Sequence, residues 1–348
     1  MSTGAVSGTV RSGLLAQLVA DSTATQTQMN RLTRQSASGK VADTYGGLGN
    51  TASVSINLRP QMAQAQAWQQ SISLANTTLD ITQNVLGQLA GIATSFSSQT
   101  LGTAMQSATG ANAIAAQAKV ALQQVAALLN TQSNGQYAFA GADSANAPIN
   151  TAALNTFSAT IGTQVTGLST GTDPAALVAA LVTQAGTAPF TYQPGATPAQ
   201  VQAQTGDGQT VPMAFVAGKD SLPGQPGSGT GSYVRDLIAG LAGLAGLNST
   251  TASGSTLQSF GTGISKLLQG AASAITNDEA GFGQVQSELT TQGTALSDTL
   301  TSLTTQVTGV EDVDMAATAT ALSQVQTQLQ ASYQLIAGLK QLSLTAYL

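Results

Sequence analysis

Proline placement sets the outer limits on this fold. The chain has nine prolines among its 348 residues, and all but Pro60 fall between Pro148 and Pro226. A proline inside a helix removes a backbone hydrogen bond and clashes with the preceding turn. The proline-free flanks, 61–147 and 227–348, can therefore run as long helices, whereas the middle cannot run as a continuous one. Apolar spacing in the flanks points to helix. Pro60 is a favourable first helical residue. From there Met62, Ala65, Trp68, Ile72, Ala75, Leu79, Thr82, Leu86, Leu89, Ala93 and Phe96 follow in steps of three and four, with one slip at Trp68. Shorter series follow at Ile114, Ala118, Ala121, Val125 and Leu128, and again from Phe282 through Leu289, Leu296, Leu303 and Val307. The final segment repeats the pattern at Leu322, Val325, Leu329, Ser332, Ile336 and Leu339, widened by Leu335 and Leu342. Near the N-terminus Leu14, Leu18, Thr25, Met29 and Leu32 make only a thin stripe on a Gln- and Thr-rich helix. So narrow a face is marginal alone, and the stronger C-terminal helix is the natural element to bury it.

Three-and-four spacing sustained over several heptads is the signal of coiled-coil packing. The expected fold is mainly α: a long coiled-coil-like helical bundle formed by the N- and C-terminal regions, with a smaller β-rich inserted domain. The expected divisions are a terminal helix and loop over 1–50, bundle halves over 51–144 and 232–310, the insert over 145–231, and a closing helix over 311–348. Within the insert, apolar pieces at 188–192 and 211–218 read as strands, and Asp207-Gly208 reads as a hairpin turn. A helix is expected from Pro174 to Gln184 behind an Asp173 cap. The Leu/Gly repeat from Leu237 to Leu247 fits helix or loop equally.

Composition narrows the function. Only 7% of residues are charged, against roughly 25% in ordinary soluble proteins. A surface of uncharged polar residues and alanine is weakly protected against self-association, which suits a subunit that polymerises. Net charge is −5 and the ten basic residues are scattered, so no cluster is available to neutralise nucleic-acid phosphates. Cysteine and histidine are both absent. That removes disulfides, the commonest metal ligands and the usual acid–base group near neutral pH. No apolar run is long enough to span a membrane. The short run around Leu14–Ala20, broken by Gln17, continues a helical pattern and is not expected to be a cleaved signal.

No constellation points to catalysis, a cofactor or a metal. The run 227–231 (GSGTG) lacks the Lys and spacing of a phosphate loop and reads as linker. Glu311, Asp312 and Asp314 lack the spaced ligands of a calcium loop, and read as an ion-paired or solvated helix start. Asp278-Glu279 reads as another helix start by the same logic.

Three stretches resemble the bacterial flagellin superfamily, and most nearly its hook-associated proteins of the hook–filament junction. They are 130–141 (NTQSNGQYAFAG), with Tyr137, Phe139 and Gly141; 311–316 (EDVDMA) leading to the closing 342–348 (LSLTAYL); and the weaker 36–40 (SASGK). After Lys40 the family's acidic pair and proline are missing, so no role is carried to that loop. The resemblance implies a structural subunit required for motility, working as a homo-oligomer in a ring or tube. Its implied neighbours are flagellin and another hook-associated protein. An export chaperone would hold it before secretion to an extracellular flagellum, without a cleaved signal and without membrane insertion. It also implies that the assembly interface is Leu14, Leu18, Met29 and Leu32 with Leu322, Val325, Leu329, Leu335, Ile336, Leu339, Leu342 and Leu344. Flagellin of the filament itself is the nearest alternative, and a secreted adhesin or effector acting through the insert is the alternative of another class.

Overall fold

The computed structural model describes residues 4–186, 190, 199–212, 215–219, 230–248 and 250–344, and the side chains of 16–338 within those spans. Eight α-helices dominate the described residues: α1 (Gly4–Ser38), α2 (Ala52–Leu101), α3 (Ala108–Leu129), α4 (Thr151–Val165), α5 (Pro174–Ala185), α6 (Tyr233–Ala245), α7 (Gly254–Glu311) and α8 (Met315–Leu344). Three short 3-10 helices (Tyr45–Thr51, Thr103–Gln106 and Thr166–Thr170) and two antiparallel hairpins complete their regular structure, the hairpins being β1 (Gln132–Ser133) with β2 (Gln136–Tyr137), and β3 (Gln202–Gly206) with β4 (Gln209–Pro212). The chain divides into two compact units, a terminal unit of residues 1–66 with 298–348 and a central unit of 67–297.

In the terminal unit α1 packs along α8. An antiparallel bridge between Lys40 and Asp312 ties the end of α1 to the start of α8, so the two helices leave one point together and run antiparallel in chain direction. On α1 the facing positions are Leu18, Ser22, Thr25, Met29 and Leu32, with Ser22, Thr25 and Leu32 buried. On α8 they are Thr318, Leu322, Val325, Leu329, Ser332 and Ile336, with Thr318, Val325 and Leu329 buried. Both series step by three and four, the period of a coiled-coil seam. α1 stops at Gly39, whose φ of +70° is the left-handed conformation that ends many helices.

The central unit holds the apolar core. The α2 stripe foreseen from spacing is buried at every position from Ile72 to Phe96. α2 begins at Ala52, however, and Pro60 lies inside it rather than at its first turn. The proline is exposed, so the Ile56 carbonyl it leaves without an amide partner can be met by water. α7 likewise starts well before the expected run, burying Leu257, Phe260, Ile264, Leu268 and Ile275. Asp278 and Glu279 therefore sit within α7, which corrects their reading as a helix start. Within this unit α2 and α7 run antiparallel, as Ser265 Oγ donates to the Ser97 carbonyl at 3.0 Å and Gln286 Nε2 to Asp80 Oδ1 at 2.5 Å.

The Leu/Gly repeat resolves as α6, buried along its whole length and packed on α3, α4 and α5. Beyond Arg235 and Asp236 the helix is apolar on all sides, which places it in a core, and the glycines in and after it let neighbours approach. A Cβ at Gly246 would lie 3.0 Å from the Gly162 Cα and from Val165. Buried Arg235 donates to the last carbonyls of α5, Ala185 at 2.8 Å and Gly186 at 3.0 Å, with its guanidinium 4.3 Å from the Phe190 ring centre. A cation at a helix C-terminus complements the helix dipole there. α5 follows its Asp173 cap as expected, the carboxylate accepting from the Ala176 amide. α4 carries no signal that the sequence reading had used. The segments 187–189, 191–198, 213–214 and 220–229, which include parts of the expected strands and linker, lie outside the described residues.

Candidate functional site

The one concentration of ion pairs among the described residues is in the terminal unit, where the loops after α1 and before α8 cross. Glu311 is the hub. Its carboxylate accepts from Arg59 Nε at 3.0 Å and Nη2 at 2.7 Å, and from the buried Ser55 hydroxyl. Lys40 Nζ stands 3.6 Å from the same carboxylate and 2.5 Å from Asp312 Oδ1. The backbone closes the crossing on both sides: the Val41 amide donates to the Glu311 carbonyl at 2.7 Å, and the Val313 amide to the Gly39 carbonyl at 3.0 Å. Gln35 Nε2 adds a bond to the Val41 carbonyl. Asp314 then caps α8, accepting from the Ala316 and Ala317 amides at 2.9 and 3.0 Å.

The electrostatics follow from that geometry. The Glu311 side chain is 8% exposed, and a buried carboxylate stays charged only if its oxygens are met. Here the Arg59 guanidinium and the Ser55 hydroxyl hold its carboxyl down to about 2. Lys40 is pushed up, chiefly by its hydrogen bond to Asp312. Lys40 and Arg59 are half-exposed, so they anchor the carboxylate from the solvent side.

The expected assembly residues fall into three groups. Leu18, Met29, Leu32, Leu322, Val325, Leu329 and Ile336 line the α1–α8 seam, buried or half-buried. Leu335 stands outside it, 61% exposed. The side chains of Leu14, Leu339, Leu342 and Leu344 lie outside the described residues. The structure adds Ser22 and Thr318 to the seam, together with Lys40, Ser55 and Arg59 around Glu311. The sequence held one usable signal for these last three: in so charge-poor a chain, any buried carboxylate must draw on very few cations.

In the central unit, the 130–141 motif forms a small hairpin at the end of α3. Asn134 and Gly135 turn the β1–β2 hairpin with φ of 51° and 78°, the pair of positive angles that a two-residue turn of this kind requires. Tyr137 is half-buried and Phe139 is 2% exposed. The Phe139 carbonyl accepts from Ala217, and the Gly141 amide, at φ 59°, donates to the Phe215 carbonyl. Phe215 in turn packs on Phe282 of α7, ring centres 4.4 Å apart. Asn130 clamps the start of the following segment, its side chain bonding both the amide and the carbonyl of Ile149.

Residues 266–348, which carry the Glu311 hub, Asp314 and all of α8, match the bacterial flagellin C-terminal helical region. That match spans the C-terminal quarter of the chain. The fold of this chain is similar to that of a chain described as a flagellar hook-associated protein from Vibrio parahaemolyticus, with a TM-score of 0.52 and 11% identity. The match covers 77% of this chain and 98% of that one; at such identity the likeness is one of fold. No curated protein sequence matches the chain. No described helix of this chain is long and apolar enough to cross a membrane. An open groove of about 550 Å³ in the central unit is lined by Lys119, Asn155, Ser158, Thr163, Thr166 and Asn248 among others, with no carboxylate. Its amides and hydroxyls can bind but provide no acid–base pair.

Proposed function

We propose that this chain is a hook-associated subunit that joins hook to filament in the bacterial flagellum and is needed for motility. In this role it forms a ring or tube of identical copies, with flagellin and another hook-associated protein as neighbours. It reaches the extracellular flagellum by export without a cleaved signal, after being held by a chaperone. The observation that carries the reading is the α1–α8 pair. Among the described side chains its seam buries only Leu32, Val325 and Leu329 of the large aliphatics, while Val19, Met315, Tyr333 and Leu335 remain exposed on the same two helices. Apolar side chains left outside a seam this thin gain burial when neighbouring subunits cover them. The flagellin C-terminal match over the same helix and the likeness in fold to a hook-associated protein support it. Electron microscopy of a deletion strain tests it: hooks should persist while flagellin is shed as monomer. Intact filaments in that strain would overturn the junction role.

The flagellin match itself favours a second reading, in which this chain builds the filament. Purified protein polymerising alone into long filaments would select it.

A further inference from the structure

In the terminal unit a few charges remain once its ion pairs are made. Its described cations are Arg31, Arg34, Lys40 and Arg59, and its described carboxylates are Asp21, Asp43, Asp298, Glu311, Asp312 and Asp314. The Glu311 clasp takes up Lys40, Arg59 and Asp312, and Asp314 caps α8. Arg31 and Arg34 are exposed and, among the described residues, meet no carboxylate; Asp21 is exposed and meets no cation. The sides of α1 follow from a turn of about 100° per residue. Leu18, Ser22, Thr25, Met29 and Leu32 face α8, so Arg31 and Arg34 fall on the opposite side and Asp21 on a flank. The two arginines stand one turn apart, where like charges repel. Neither is in the last turn of α1, where the helix dipole would favour a cation. Asp21 cannot answer them within one chain, because it lies about 15 Å from Arg31 and about 20 Å from Arg34 along the axis. α8 carries no carboxylate. Ahead of the arginines the same side of α1 is formed by exposed Ala16, Ala20, Ala24 and Thr27, so another helix can lie close along it.

We propose that Arg31 and Arg34 dock on Asp21 of a second copy of this chain, whose α1 lies alongside in parallel, displaced by about 15–20 Å along the axis. A guanidinium fork matches a carboxylate, and the contact cancels a repulsion that the free helix carries. Of the carboxylates in this unit that neither pair nor cap, only Asp21 is on α1; Asp43 follows that helix and Asp298 is on α7. Packing of α1 helices side by side is therefore sufficient to make the contact. It joins the back of one α1 to the flank of the next, a heterologous contact that repeats into a ring or a helical tube. The proposal rests on the reading that the chain assembles with copies of itself.

Cells carrying each full-length variant as the only copy test it, with incorporation read by immunoblot of sheared flagella. Arg31→Glu with Arg34→Glu should lower incorporation about tenfold, with circular dichroism of the free chain unchanged. Adding Asp21→Arg should restore it, and the distance within one chain excludes an internal pair as the cause. The chain contains no cysteine, so Asp21→Cys with Arg34→Cys offers unique thiols to a short bismaleimide, which should link neighbouring copies into dimers and longer ladders. Neither single-cysteine variant should give ladders. Normal incorporation of the double charge reversal would overturn the contact, as would failure of Asp21→Arg to restore it or the absence of ladders. A wild-type chain absent from the flagellum would instead sink the proposed function, and this contact with it.

Discussion

Glu311 shows how one residue's surroundings decide its charge and its dependence on pH. Its carboxyl titrates at about 2 in the folded chain against an ordinary 4.5. A depressed carboxyl adds stability that is fully present above the ordinary value and is lost as pH falls towards the folded one. Protection of the Val41 and Val313 amides, measured against their intrinsic exchange rates at each pH, should therefore fall between about pH 4.5 and 2, which hydrogen-exchange mass spectrometry can follow. Glu279, in the central unit, is shifted the other way, raised by burial; protonation relieves a penalty there, so acid through that group favours folding of the central unit. Glu311→Gln at neutral pH should cost about 1–2 kcal/mol of local stability, because its main partner Arg59 is half in solvent. Gly246→Ala tests close packing instead. Its methyl group would meet backbone and Val165 at 3.0 Å, and a drop of about 1–3 kcal/mol in thermal unfolding is expected.

At the scale of elements, helices α1 and α8 separate two kinds of apolar residue that sequence spacing alone had grouped together. Val325 and Leu329 are buried in the seam, whereas Leu335 points away from it. Leu329→Ala should lower the stability of the terminal unit by about 2–3 kcal/mol. Leu335→Ala should change it by less than about 0.5 kcal/mol yet weaken assembly, as sedimentation of wild-type and variant chains would show. The stripe on α2 was legible because three-and-four spacing and burial coincide from Ile72 to Phe96. The start of α2 was not, since a proline at a solvent-facing position costs a helix less than the rule for helix interiors assumes. α4 went unread because its buried Leu154, Phe157, Ile161 and Val165 lie in the proline-bearing middle, where the expectation was strand.

For the molecule as a whole, the division into two units separates the apolar core from the thin terminal coil. The continuous core of the described residues lies entirely within the central unit, from Ile72 to Leu289, and the terminal unit contributes the thin coil and its clasp. Removing residues 334–348 should therefore leave the central unit's cooperative melting intact while abolishing incorporation into the flagellum. Normal incorporation of that truncated chain would contradict the assembly role of α8. Proline distribution, heptad spacing and the scarcity of charge were enough, by themselves, to determine a long helical bundle that begins and ends in weakly apolar helices. These are local properties, written in each segment and independent of what packs against it. Only the tertiary structure decided that Glu311 meets Ser55, Arg59 and Lys40, because those partners are brought together across more than two hundred and fifty positions of chain. Spacing carries the period of a helix face, but it carries no information about which distant cation will stand beside a buried carboxylate.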